Sequence, residues 1–375
     1  MNPKFLAVAV STALLAACGG DDNKNSNKSP LAELGIQCTS VEKAAASSAT
    51  GTLQLTLIDS YESGNDFATS SAEIVSYDSC SDQLYVVNAK DATIDVLSLA
   101  QTNSAPTKKG SINLASAATA AGIEIGAANS VSAKNGLVAV AIEAKVKQDA
   151  GLIALYRSDD LSLLATYPAG SLPDMVTLSA DGRYILSANE GEPSGDYQND
   201  PQGSITIVDL NKGFSADKAV VQQVLFTDFN NGGSRAAELP AGVRISGPAG
   251  TSVAQDLEPE YLTLNSDGSK AWVALQENNA MAIIDVANAR VESIKALGEK
   301  SWNTASGNQL DPSNKDGMAG QFASYEQLAG LYMPDTIASF ELNNETYIVS
   351  ANEGDGREYI YETTQQACDA ANHSW

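Results

Sequence analysis

The chain has 375 residues with 46 acidic against 22 basic side chains, a net charge of −24, which excludes nucleic acid as a partner because phosphate binding needs the opposite sign. Its one histidine, His373, cannot supply a Ser-His-Asp triad, an H-E-x-x-H zinc site or a two-histidine metal triad, and no P-loop or G-x-G-x-x-G turn is present. Carboxylate chemistry remains, on a scaffold whose 29 glycines and 18% charged residues fit many turns between half-buried strands.

Residues 1–17 read as a signal peptide. Lys4 gives a short positive start, Phe5 to Ala13 an apolar run too short for a stable membrane span, and Leu15-Ala16-Ala17-Cys18 a small-residue cleavage site ending in cysteine. That tetrapeptide resembles the bacterial lipobox, which implies export, cleavage before Cys18 and its lipidation, with several acyl chains anchoring the protein to the membrane. Gly19, rather than Asp, follows Cys18. By resemblance to enterobacterial sorting this points to the outer membrane of the cell envelope. The plainer alternative is an ordinary secretory peptide with an incidental Cys18. Residues 18–48, opening on Gly19 to Lys28, read as a polar tether, and 49–375 as the folded domain. In an oxidising compartment Cys38, Cys80 and Cys368 are an odd set. Cys38 with Cys80 is the expected disulfide, tying the N-terminal segment to the first recognisable sheet.

The strand signals then follow in series. Gln83 to Ala89 leads to Thr93-Ile94-Asp95-Val96-Leu97, and Gly136 to Ala141 leads to Gly151 to Tyr156. Met175 to Leu178 and Tyr184 to Ala188 flank Asp181-Gly182, a strong hairpin signal. Tyr261 to Leu264 and Ala271 to Leu275 flank Asp267-Gly268, and Ile337 to Phe340 and Tyr347 to Ser350 flank Asn343-Asn344. Third strands follow at Gly203 to Leu210 and Ala280 to Val286. Three of these units share one grammar: Pro-acid, strand, turn, strand, Asn/Gln-Glu. From Pro173 to Glu190, Pro259 to Glu277 and Pro334 to Glu353 the spacing is 17, 18 and 19 residues. Five sheets of three or four strands, with almost no helical period between them, predict an all-β fold of the β-propeller type. A β-sandwich would not repeat the same polar residues at the same strand ends.

Hairpin geometry predicts where those residues go. The start of the first strand and the end of the second share one rim, so Asp174 meets Glu190, Glu260 meets Glu277, and Asp335 meets Glu353. Radial blades would gather all six on one face. Crowded carboxylates raise each other's pKa unless a cation or donors neutralise them. Hard oxygen ligands suit Ca²⁺, Mg²⁺ or Mn²⁺, and Asn189, Gln276 and Asn352 would add amide oxygens. The simpler reading, that Pro-Asp and Asn-Glu-Gly are loop-end turn chemistry, stands beside it. Asp311 to Gly317 looks like a calcium loop but puts Pro312 and Ala323 at the first and twelfth EF-hand positions, so it reads as a polar loop. The acidic insert Glu192 to Asp200 lies where it could cover the mouth beside Glu190.

Long stretches resemble the choice-of-anchor I family: Leu172 to Asp209, Phe226 to Asn230, Val243 to Pro248, Ala254 to Tyr261, Leu275 to Ala280 and Met333 to Tyr359, with Ala127 to Val131 and Glu73-Ile74-Val75. That family is similar to mesenchyme-specific cell-surface glycoproteins, and its bacterial members are often called alkaline-phosphatase-like. The resemblance implies a seven-bladed, YVTN/WD40-like propeller on exported proteins that attach to cells by varied means. It also implies further repeats after Tyr359, so a propeller of five or six blades, incomplete at the C-terminal end, is expected here. Two functions follow. One is an envelope scaffold that binds a protein or small anionic ligand through metal on its acidic rim. The other is a metal-dependent phosphohydrolase, since calcium-based phosphatases can work with carboxylates alone. For the enzyme, Arg357 on the acidic rim is the candidate phosphate clamp, with Arg244 behind it. Arg183 should lie at the far rim, and Arg357 has a structural alternative as partner to a neighbouring carboxylate.

Overall fold

Turn chemistry sets the strand boundaries. In the two Asp-Gly hairpins, Gly182 and Gly268 take positive φ of 72° and 70°, a conformation that costs glycine nothing. Gly182 N–H donates to Ser179 O and Gly268 N–H to Asn265 O. Asp181 and Asp267 each accept a backbone N–H two residues on, from Arg183 and Ser269. In the third hairpin both Asn343 and Asn344 hold positive φ, 54° and 63°, the geometry of a two-residue turn matched to strand twist.

The structure is a computed structural model that describes residues 71–99 and 105–357, apart from 314 and 319, with short pieces between 34 and 69. Four antiparallel sheets follow one another along the chain, each a simple up-and-down run of four strands. The first holds β1 (Val75–Asp78), β2 (Gln83–Asn88), β3 (Thr93–Ser98) and β4 (Thr107–Asn113). The second holds β5 (Ile125–Lys134), β6 (Leu137–Ala144), β7 (Ala150–Arg157) and β8 (Leu163–Ser171). The third holds β9 (Pro173–Leu178), β10 (Tyr184–Asn189), β11 (Ser204–Asp209) and β12 (Val220–Leu225). The fourth holds β13 (Pro259–Leu264), β14 (Lys270–Leu275), β15 (Ala280–Asp285) and β16 (Arg290–Ala296). A short ribbon, β17 (Glu299–Ser301) with β18 (Ala329–Leu331), leads to a fifth sheet, of which the described residues form β19 (Pro334–Leu342) and β20 (Glu345–Asn352).

The first strands β1, β5, β9, β13 and β19 pack side by side in that order. This is the arrangement of a propeller, with first strands toward the axis and fourth strands outside. The core agrees. β6 is buried along its whole length, and its alternate residues go to different interfaces: Val138, Val140 and Ile142 pack with Tyr85, Val87 and Ile94 of the first sheet. Leu137, Ala139 and Ala141 pack with Val176, Leu178 and Ile185 of the third. A further cluster joins Leu186, Ala188 and Ile205 to Val273, Leu275 and Ala282 of the fourth. A two-sheet sandwich would leave one face of each sheet in water, whereas the middle sheets here have none.

Every strand expected from sequence is present and the sheets have the expected three or four strands, but the segments that form the fourth strands, and β1 and β5, carry no clear signal. β12 shows why. Val220-Val221-Gln222-Gln223-Val224-Leu225 is mostly exposed and mixes polar residues into its run. A helix was also not expected between sheets, yet α1 (Ala115–Ala121) forms from an Ala-rich segment and buries Ala117 against the first interface. A second helix, α2 (Val253–Asp256), opens on a capping box between Ser252 and Gln255.

Cys38 and Cys80 form a disulfide with Cα atoms 4.2 Å apart. The piece around it docks on the second sheet as well as the first. Leu34 O accepts from Arg157 Nη1 at 2.9 Å, and Ile36 lies where a side chain at Gly136 would clash. The segment read as tether is therefore already held to the domain at 34–38. The signal peptide, Cys18, Cys368 and His373 fall outside the described residues.

Candidate functional site

Strand register builds the site. Asn189 pairs with Pro173, Leu275 with Pro259 and Asn352 with Pro334. Each pairing sits at a shift in register, so the acid after the proline and the glutamate closing the second strand emerge at one end of the hairpin. Because the first strands stand side by side, three such ends meet.

The meeting place is a cavity of about 840 Å³ whose walls include Glu190, Glu192, Glu258, Glu260, Glu277 and Asp355, with Lys145, Lys147 and Arg357. Asp174 lies deeper. Burial pushes its carboxyl up to about 7, helped by the charge of Asp335. Glu190 is pushed well above the usual range, by burial first and then by Asp174 and Glu258. Glu260 shifts the same way, from burial and then the charges of Glu190 and Asp174. Both open partly onto the cavity, but the surrounding walls keep bulk water from solvating their charge. Glu277 is driven up to about 7 by burial, while Arg357 and Arg244 pull against the shift.

The expected residues do not all join them. Glu353 is exposed and accepts from Gln276 Nε2 at 3.3 Å, at the edge of the group. Asp335 reaches the group through its field on Asp174, while its own Oδ2 accepts from Thr336. Of the three amides expected as metal ligands, Asn189 and Asn352 have their oxygens occupied elsewhere. Asn189 is fully buried in its sheet, donating to Ser204 Oγ and Thr206 Oγ1 and accepting from Ser187 Oγ at 3.0 Å. Asn352 Oδ1 accepts from Ser350 Oγ, the same contact in another repeat. Among the described residues, no group of three or more His, Cys, Asp or Glu side chains is placed to hold one metal ion.

Sequence reasoning passed over Glu258. It precedes the proline where the other repeats carry Leu172 and Met333, and that departure was the available signal. Glu258 is buried and forms an ion pair with Arg357, whose side chain is only 2% exposed. Burial drives the Glu258 carboxyl up and Arg357 opposes it. Arg357 Nη2 also donates to Gln255 O, and its Cζ lies 5.9 Å from the ring centre of Tyr197. Tyr197 belongs to the Glu192–Asp200 insert, whose first residues line the cavity as expected from its position. Beside them Asn278 Nδ2 donates to Asp256 Oδ1, and Ser246 N–H to Asp256 Oδ2, so the α2 end is locked by its own carboxylate. Arg244 Nη1 donates to Glu277 O. Arg183 pairs with Asp209 at the opposite end of its hairpin, away from the site. The Asp311 loop is a polar loop, its carboxylate accepting from the N–H groups of Ser313, Gly320 and Gln321.

The sequence profile of the choice-of-anchor I domain matches residues 73–374. The chain belongs to that family. The family and the propeller fold make it a cell-surface or envelope β-propeller of scaffold type. Among the described residues no helix is long and apolar enough to cross a membrane. No curated protein matches the chain. Solved structures similar to it include Kuenenia stuttgartiensis hydrazine synthase, 13% identical over 67% of this chain and 55% of that one, with a TM-score of 0.41. The β-propeller domain of Myceliophteria thermophila Cps50 (Swd1) is 11% identical over 63% and 58%, with a TM-score of 0.38. A functionally unknown protein from Desulfotomaculum acetoxidans DSM 771 is 12% identical over 59% and 56%, with a TM-score of 0.36. The chain spans little more than half the length of each.

Proposed function

We propose that this protein is an exported binding propeller, anchored by a lipidated Cys18 in the bacterial envelope with the outer membrane as its destination, that engages its partner at the carboxylate mouth. A divalent cation, Ca²⁺ or else Mg²⁺ or Mn²⁺, neutralises the mouth and bridges it to a protein or small anionic ligand. One observation carries the reading. Asp174, Glu190, Glu260 and Glu277, from two hairpins 70 or more residues apart in sequence order, are all held above the ordinary carboxylate range by burial first, and then Asp174 by the charge of Asp335, Glu190 by Asp174, and Glu260 by Glu190 and Asp174. Such a group favours any bound positive charge. The donor set is hard oxygen, as Ca²⁺ prefers. Since among the described residues no three acids converge on one point, a bound ion would keep waters or take a partner's oxygen, which suits a bridge. The test is thermal melting with CaCl₂ against chelator. Calcium should raise the melting temperature of the wild type, and the Glu190→Gln/Glu260→Gln variant should lose most of that rise. No calcium effect on the wild type would refute the cation.

A metal-dependent phosphohydrolase is the second reading, favoured by Arg357, a buried guanidinium on the cavity wall. Bound cations would activate water, and Arg357 would hold a phosphoryl oxygen. Assays of a phosphomonoester and a phosphodiester with Ca²⁺, Mn²⁺ or Fe³⁺, repeated with chelator, decide it. Absence of turnover in every condition removes the enzyme.

A further inference from the structure

The mouth holds two buried groups of opposite sign whose hydrogen-bonding atoms are unused. Glu277 is 7% exposed and its Oε2 has no partner. Arg357 has a 2% exposed side chain, and while Nη2 is engaged by Glu258 and Gln255 O, its Nε and Nη1 have no partner. Both residues line the same cavity. Buried charged groups left without partners are costly, so atoms of this kind mark where a ligand completes a structure.

Neither a bare cation nor a bare anion completes this one. A cation on Glu277, Glu190 and Glu260 leaves the Arg357 donors unmet. An anion on Arg357 faces a wall of carboxylates. The lysines do not change this: Lys145 pairs with Glu124 at 2.9 Å and Lys147 sits 3.7 Å from Glu192, both at exposed positions. A volume of about 840 Å³ is also far more than one ion needs. Arg357 itself shows how the mouth receives an organic cation, with a carboxylate and a backbone carbonyl on the guanidinium and the Tyr197 ring nearby.

We propose that the cavity binds an organic zwitterion carrying a carboxylate and a larger positive charge, of the chemical class of the basic amino acids and short basic peptides. Its carboxylate accepts from Arg357 Nη1, on the end of the guanidinium away from Nε, and its ammonium or guanidinium groups donate to Glu277 and onward to Glu190 and Glu260. The inference rests on the reading of the mouth as a binding site and names what that site takes.

Titration calorimetry of the full chain with L-lysine, trilysine and 1,5-diaminopentane tests it. The diamine keeps both amines of lysine and lacks the carboxylate. L-lysine or trilysine should bind about tenfold or more tighter than the diamine, the loss expected when a charged hydrogen-bonding partner is missing. Which of the two binds better tells a free amino acid from a peptide. Glu277→Gln should weaken that binding about tenfold while the protein still unfolds cooperatively and at no lower temperature, since the change removes a buried charge and keeps the shape. Equal affinity for lysine and diamine, or no binding of any of the three, overturns the proposal. A calcium arm separates the two levels: calcium stabilisation without lysine binding sinks the zwitterion alone, and the failure of both sinks the mouth as a binding site.

Discussion

At the scale of single residues, the carboxylates of the mouth tie stability to pH in the sense opposite to most acidic groups. Asp174 and Glu277 sit at about 7 in the folded protein, against roughly 4 in an unfolded chain. Between those values the folded state binds more protons than the unfolded state, so stability is fully present below about 4 and is lost as pH rises through about 7. Without divalent cations, the melting temperature should therefore fall between pH 5.5 and 8.5. The double variant Asp174→Asn/Glu277→Gln should flatten that slope and be the more stable protein at pH 8.5. A wild-type melting temperature that climbs over this range would contradict the burial of these acids. Their convergence was legible in the sequence because hairpin geometry alone puts Asp174 beside Glu190 and Glu260 beside Glu277. Their partners were not. Arg357 and Glu258 are 99 residues apart, and no local pattern announces an ion pair over that distance. Asn189 misled because its Oδ1, the atom a metal would need, accepts from Ser187 Oγ on its own strand, while its Nδ2 donates to Ser204 and Thr206 of the next.

At the scale of elements, the hairpin turns carry the register that makes the mouth. Gly182 holds φ of 72° at the far end of the β9–β10 hairpin, where an L side chain is strained. Gly182→Val should cost about 1–2 kcal/mol, the usual penalty for forcing a left-handed backbone on a non-glycine residue. It should leave calcium or lysine binding per folded molecule unchanged, because the turn lies at the opposite end of the hairpin from Asp174 and Glu190. Chemical denaturation gives the first number and calorimetry the second; a changed affinity would mean the turn steers register at the mouth. The same scale explains what the sequence hid. Second and third strands such as β6 and β7 are buried on both faces and read as nearly continuous apolar runs. Outer strands such as β4, Thr107-Lys108-Lys109-Gly110-Ser111-Ile112-Asn113, bury little besides Ile112 and carry no such signal. The first strand β1 is short and half-exposed and carries no such signal either.

At the scale of the whole molecule, stability should behave as a sum over interfaces between neighbouring sheets, because among the described residues the sheets pack on those beside them in chain order. β6 allows a direct test, since it contributes to two interfaces at once. Ile142 faces the first sheet, in the cluster with Val87 and Ile94. Leu137 faces the third, in the cluster with Val176 and Ile185. Both are fully buried. Truncating either to alanine should cost about 2–5 kcal/mol, the range for a buried aliphatic that leaves a cavity. The two losses should add to within about 0.5 kcal/mol, since opposite faces at opposite ends of a strand share no partners. Urea unfolding of Leu137→Ala, Ile142→Ala and the double variant gives all three values. In a sandwich, one of the two positions would face water and its truncation would cost almost nothing. A cost below about 0.5 kcal/mol at either position, the level of an ordinary surface change, would therefore overturn the radial stacking, and with it the reason that carboxylates from separate repeats share one mouth.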